Sequence, residues 1–170
     1  MDAGGHKSPH AGLRTQVREY NYVLRISSEE LKVLEKYREQ LITATGSFAE
    51  IFYNYLFDNP DIAAALHMLE REGGDVGQFA RAELTNILAS VVSGTDPQRE
   101  HHLLDAGRRH RLRSFKPVWL IGAYNLLIDY LHGVLGRLGI SNDDRYVLDS
   151  LLTRLLLREM GIMLEGYWLQ

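Results

Sequence analysis

The 170-residue chain contains no cysteine. That excludes disulfides, thiolate metal sites, cysteine nucleophiles and thioether-attached cofactors. Its four prolines are few for this length, and no alternating apolar–polar runs are bounded by hairpin turns, so the pattern predicts an all-α chain. A dominant charge is lacking too. With 19 Lys and Arg against 22 Asp and Glu, the net of −3 gives no electrostatic case for a nucleic-acid partner. The first residues hold no apolar core of signal-peptide type, and no apolar run approaches the ~18 residues of a membrane span. A cytoplasmic chain with no membrane partner is therefore expected. Also missing are a Walker-type glycine-rich loop, a nucleophile elbow and a His-Glu-x-x-His metal motif. No nucleophile, base and orienting acid come together, so no enzyme activity is expected of the chain.

What is present reads as one globular domain over residues 13–170 behind a polar, glycine-containing tail over residues 1–12, expected to be disordered. A short amphipathic helix or extended arm is expected from Leu13 to about Leu24. Ser27 with Glu30 three residues later is a capping-box pattern, which predicts a helix from there to about Thr45. Ser47 is placed to cap the next helix, to about Phe57, where Phe48, Phe52, Tyr55 and Leu56 share a broad face and Tyr53 lies near its border. Asn59-Pro60 ends it. Further helices are expected over about 62–69, 76–93 and from Pro97 to near His110, then 118–138 and 143 to the end. Gly122 and Gly133 inside the penultimate helix predict close helix–helix packing. The last helix carries two apolar stripes, Leu148, Leu152, Leu155 and Ile162 beside Leu156, Met160, Met163 and Tyr167. One stripe suffices to cover a single domain. A second copy of the chain is the simplest partner for the other, and burial within one subunit is the alternative.

Most of the functional information lies between Gly107 and Tyr124. His110 comes near the end of a helix, with Gly107, Ala106 and Leu103 on its face, three, four and seven residues before it. Two readings stand at this point. One is a hydrogen-bonded structural histidine. The other is a nitrogen ligand beside a surface of little bulk, against which a flat prosthetic group can lie.

The residues also resemble a family. Gly107-x-x-His110 followed by Pro117-x-Trp119-x-x-Gly122-Ala123-Tyr124 resembles the proximal segment of the globin-coupled sensors, haem-binding globin domains that regulate bacterial signalling modules. Phe52-Tyr53, then Leu56 and the Asn59-Pro60 turn, is similar to their distal helix. Leu24 with Ser27-Ser28-Glu29-Glu30-Leu31 fits as well, so the resemblance runs from about Val17 to Leu169. It implies the sensor-globin variant of the globin fold, with an extra N-terminal helix, dimerising through residues of about 118–138 and 143–169. It implies haem b (iron protoporphyrin IX) with His110 as the proximal iron ligand, and Tyr53 as the distal hydrogen-bond donor to bound oxygen. Phe79 and Ala82 would line the pocket, with Leu103, Gly107 and Trp119 also against the cofactor. The implied function is sensing of O2, with CO and NO as other ligands, to regulate an attached or separate output module through dimer rearrangement. Departures from the family pattern fall beside the histidine. Arg113 and Ser114 stand where a small aliphatic residue and a glycine are usual, and Leu120 where many members have tyrosine. The alternatives are a globin-like dimerisation or scaffold domain without haem, and an enzymatic globin acting on nitric oxide or peroxide.

Overall fold

The capping box at Ser27 forms. In the computed structural model, which describes residues 19–45, 47–76, 87, 91 and 97–169, the Ser27 hydroxyl accepts the Glu30 backbone N–H while the Glu30 carboxylate accepts that of Ser27. Two of the orphan donors at the helix start are thereby satisfied. This opens α1, Ser28–Ala44. Helix α2, Phe48–Asp58, starts without the expected serine cap: Ser47 is itself helical, and its hydroxyl shares a 2.9 Å hydrogen bond with Tyr130. Asn59 ends α2 and also begins α3, Pro60–Arg71, by accepting the Asp61 and Ile62 N–H groups. The third helix therefore starts two residues before its expected position, with proline in the first turn where no N–H is needed. Then come α4 (Pro97–Leu112), α5 (Pro117–Arg137) and α6 (Asn142–Trp168), the last capped by the Ser141 hydroxyl. Among the described residues all regular structure is helical, in line with the all-α expectation. The expected tail and most of the helix over 76–93 lie outside the described residues.

Helix α6 is the central element, packing against α1, α4 and α5. Leu148, Leu152, Leu155 and Ile162 of one stripe, and Leu156 and Met163 of the other, are at most 4% exposed. Both stripes are thus satisfied largely inside one chain. The alternative of burial within one subunit therefore accounts for most of both stripes, with α1, α4 and α5 as the covering helices. The tightest crossing is between α4 and α6. A Cβ on Gly107 would lie 2.0 Å from the Met163 carbonyl, and one on Gly166 2.2 Å from that of Leu104. Only glycine permits such an approach, so the two backbones touch without an intervening side-chain layer.

Polar contacts fix the register of this arrangement. Arg99 on α4 pairs with the fully buried Glu159 at 3.1 Å, and the neighbouring Arg158 donates to Asn21 at 3.0 Å. Residues 19–23 form a helical turn strapped along α6. The Tyr20 ring fills the niche above Gly161, and its hydroxyl donates to Glu165 at 2.6 Å. Burial, and then that carboxylate, push the hydroxyl well above the ordinary phenol range, which keeps it a donor. Arg154 donates to the Leu24 and Arg25 carbonyls and pairs with Glu30.

Helix α5 divides into two faces. Leu120, Tyr124, Leu127, Leu131, Val134 and Leu135 are buried, whereas Val118 is 64% and Ile121 46% exposed. Close packing at Gly122 holds, since a Cβ there would lie 2.2 Å from the Tyr55 hydroxyl. At Gly133 it does not: among the described residues nothing nearer than Arg137 of the same helix, at 3.5 Å, faces it. Contrary to the count of uninterrupted apolar residues, α5 is long and apolar enough to cross a membrane by length and composition, with a mean hydropathy of 1.3. Its inner face belongs to the core.

Gly107→Ala is expected to lower stability by about 3 kcal/mol or more, since the new methyl meets backbone rather than a movable side chain. Gly136→Ala, in open space on α5, is expected to raise it by about 0.5–1 kcal/mol. Urea midpoints of both variants against the parent check the pair.

Candidate functional site

Between α2 and α3 on one side and α5 on the other lies a cavity of about 1000 Å³, counted to its open mouth. Helix α2 contributes Phe52 and Leu56, and α3 contributes Ile62, Leu66 and Leu69. Helix α5 supplies Trp119, Leu120, Ala123, Tyr124 and Leu127, with Val76, Ile87, Phe115 and Met163 completing an apolar wall. His110 enters from the end of α4. Arg113 and Lys116, both exposed, stand at the rim.

The histidine is held on several sides. Its Nδ1 lies 2.7 Å from the Ala106 carbonyl oxygen, one turn back on α4. A carbonyl can only accept, so the ring donates there, and in the neutral ring Nε2 is the nitrogen with the lone pair. Metal-ligating histidines are commonly oriented by this same bond to a backbone carbonyl. The chain just beyond closes over the ring. Ser114 N–H bonds the Arg111 carbonyl at 3.0 Å and Phe115 N–H bonds that of His110 at 2.9 Å, a Schellman motif with Ser114 at φ +58°. The motif drops Phe115 edge-on against the histidine, ring centres 5.5 Å apart, and Trp119 stands edge-on to Phe115 at 5.8 Å.

The structure places the site residues unevenly. His110 and Trp119 line the cavity together. Tyr53 does not: it is 37% exposed, with its ring 4.6 Å from that of Phe57. The ~100° step per helical residue turns it away while Phe52 points inward. Leu103 and Gly107 are not part of the cavity wall either. Leu103 is core, and the bulk missing at Gly107 admits α6 rather than a ligand. Phe79 and Ala82 lie outside the described residues. Sequence reasoning did not assign Phe115, Leu120 and Met163 to the site, nor Leu66 and Leu69, which it placed only within a short helix.

A flat, apolar prosthetic group with acidic groups at its edge fits this lining. The wall is hydrocarbon and aromatic, one imidazole is fixed in the tautomer a metal needs, and two cations stand at the mouth. The donor set matches an iron porphyrin better than a bare ion, since no cluster of three or more His, Asp or Glu side chains that would hold a metal occurs among the described residues.

Ser114 explains the glycine usual at its position in the resembling family. The left-handed conformation costs a non-glycine residue about 1 kcal/mol. Ser114→Gly is expected to stabilise the protein by about that amount, read as a higher urea midpoint with an unchanged slope.

Comparison with known proteins agrees with this geometry. The family model described as Protoglobin matches residues 13–169. No curated protein sequence matches the chain. Among solved structures, the globin domain of the Geobacter sulfurreducens globin-coupled sensor is similar, with a TM-score of 0.76 at 18% identity, over 89% of this chain and 97% of that one. At that identity the likeness establishes the fold, a sensor-type globin, and the family match covers nearly the whole sequence. The chain belongs to the protoglobin family, with the haem binding which that family implies.

Proposed function

We propose that this domain is a haem-based gas sensor, with haem b as cofactor and oxygen as its principal ligand, acting on an output module through its dimer contacts rather than by catalysis. The observation that carries the reading is His110, its Nδ1 bonded to the Ala106 carbonyl and its ring at the wall of a large apolar cavity. The haem supplies, when bound, an iron with one coordination position open to a diatomic gas. The chain's own residues do the rest. His110 would hold the iron through Nε2, and the Ala106 carbonyl and Phe115 set the plane of the ring. Phe52, Leu56, Leu66 and Leu127 exclude water from the interior. The scaffold alternative calls for a filled interior, which the cavity disfavours.

A cytoplasmic homodimer forms part of the same proposal. The outward face of α5, where Val118 and Ile121 are exposed, and Leu157 on α6 at 38% exposure support it. A sensor also needs an element whose packing differs between states, because a ligand shifts an equilibrium only by its differential affinity for them.

Purified protein reconstituted with ferric haem is expected to show a Soret band that shifts on reduction and again on exposure to oxygen. His110→Ala is expected to lose the axial-nitrogen signature and much of the haem. A colourless protein after reconstitution removes the proposal. Because Tyr53 lies outside the cavity, Tyr53→Phe is expected to leave the oxygen release rate essentially unchanged. An acceleration of about tenfold or more, the size a lost charge-assisted hydrogen bond produces, would place that hydroxyl inside after all.

The dimer is checked by light scattering after size exclusion. The parent is expected at twice the chain mass and Ile121→Asp at once. A parent that runs as a monomer at micromolar concentration rules out this part.

A further inference from the structure

Two tyrosine–carboxylate hydrogen bonds of equal length hold α6, one near each end. Tyr37 of α1 donates to Asp144 in the first turn at 2.6 Å, and Tyr20 donates to Glu165 near the last turn at 2.6 Å. About 30 Å of helix separates the two carboxylates. The second bond stands at the α4–α6 crossing, because Glu165 directly precedes Gly166, whose missing side chain admits Leu104 of α4. We infer that Tyr20 and Glu165 are positioning residues: they hold the last turns of α6 against α4 and so fix where His110 stands, although neither lines the cavity. The inference rests on the haem reading above for what that position serves.

Over residues 161–166, α6 is gripped from two sides. At ~100° per residue, Gly161 and Glu165 share one side while Met163 and Gly166 lie on the opposite one. On the first side the Tyr20 ring fills the niche at Gly161, where a Cβ would come within 2.7 Å of it. On the second, the backbone at Met163 and Gly166 abuts Gly107 and Leu104 of α4, and the Met163 side chain lines the cavity. Lifting these turns off α4 therefore moves a wall residue and loosens the glycine contact one turn before His110. A ring alone would fill the niche. The hydroxyl adds direction, since a short bond to a carboxylate defines both height along the helix and rotation about it. Glu165 depends on that bond in turn. Its other oxygen, Oε2, is buried with no hydrogen-bond partner among the described residues, so losing the Tyr20 hydroxyl leaves a buried carboxylate unsatisfied. Asn21, accepting from Arg158 at 3.0 Å, and the Leu24 and Arg25 carbonyls, accepting from Arg154, peg the same segment farther back along α6.

The test compares Tyr20→Phe with Tyr37→Phe, which removes a bond of the same kind at the far end of α6. Both are expected to lower the urea midpoint. Tyr20→Phe alone is expected to displace or broaden the iron–histidine stretching band of the ferrous protein. It is also expected to speed haem loss to an excess of haem-free acceptor globin about threefold, the scale of one intramolecular hydrogen bond. Glu165→Gln, which keeps an oxygen for the hydroxyl, is expected to retain the parent's band. In the haem-free protein, Tyr20→Phe is expected to speed amide hydrogen exchange over residues 107–110 more than Tyr37→Phe does at matched stability. A band that stays at the parent's position in Tyr20→Phe, or moves equally in both tyrosine variants, overturns the inference alone. A parent that takes up no haem overturns the function proposed above. The exchange comparison then decides the inference by itself, and equal exchange in the two variants ends it.

Discussion

The backbone-to-backbone crossing of α4 and α6 at Gly107 and Gly166 is the contact on which the site depends. Side chains elsewhere in the core can trade volume with their neighbours, but here each helix is the other's surface. The close approach at these two glycines therefore fixes where α4 crosses α6. His110 lies one turn beyond that crossing, so its place in the cavity wall is inherited from it. The buried Arg99–Glu159 pair sits farther back along the same two helices and opposes sliding or rotation. A buried ion pair adds little net stability but penalises any register that separates its charges.

The other side of the cavity is built differently. Asn59 closes α2 and opens α3 with no intervening loop, so these two helices form a fixed corner. The corner meets α5 through Tyr55, whose hydroxyl rests where Gly122 lacks a side chain, and through Phe48, its ring tilted against that of Tyr130 with centres 4.8 Å apart. Bulky rings thus hold the corner off α5, whereas glycines draw α4 and α6 together. A wide gap on one side and direct contact on the other produce a cavity with a histidine on its tight side.

Much of this was legible in the sequence, for physical reasons that differ between elements. Local signals did well: the Ser27 capping box, the prolines at the starts of α3, α4 and α5, and the apolar periods of α5 and α6 each encode a backbone preference of a few neighbouring residues. His110 and Trp119 were legible because their spacing matches a known constellation. Tyr53 was assigned inward by that resemblance although it sits at the border of its helical face, and a border position is decided by the angle at which the helix docks. Gly107 shows a related limit. A small residue announces that something comes close, without saying whether that is a ligand or another helix. The stripes of α6 likewise reported two covered sides, and both covers belong to the same chain. Ser114, which looked like a substitution next to the histidine, marks a left-handed corner whose glycine is conformational and not chemical.

Helix α5 has a consequence of scale. Leu120, Tyr124 and Leu127 face the cavity, and Val118 and Ile121 on its far side face outward. The interior of the domain and its exterior are thus separated along this wall by one helix, about 10 Å across with its side chains. A packed helix moves as a body rather than compressing, so a shift of its inner surface reappears on its outer surface undiminished. In the proposed sensor no relay of intermediate side chains would be needed, and the wall itself would serve as the piston.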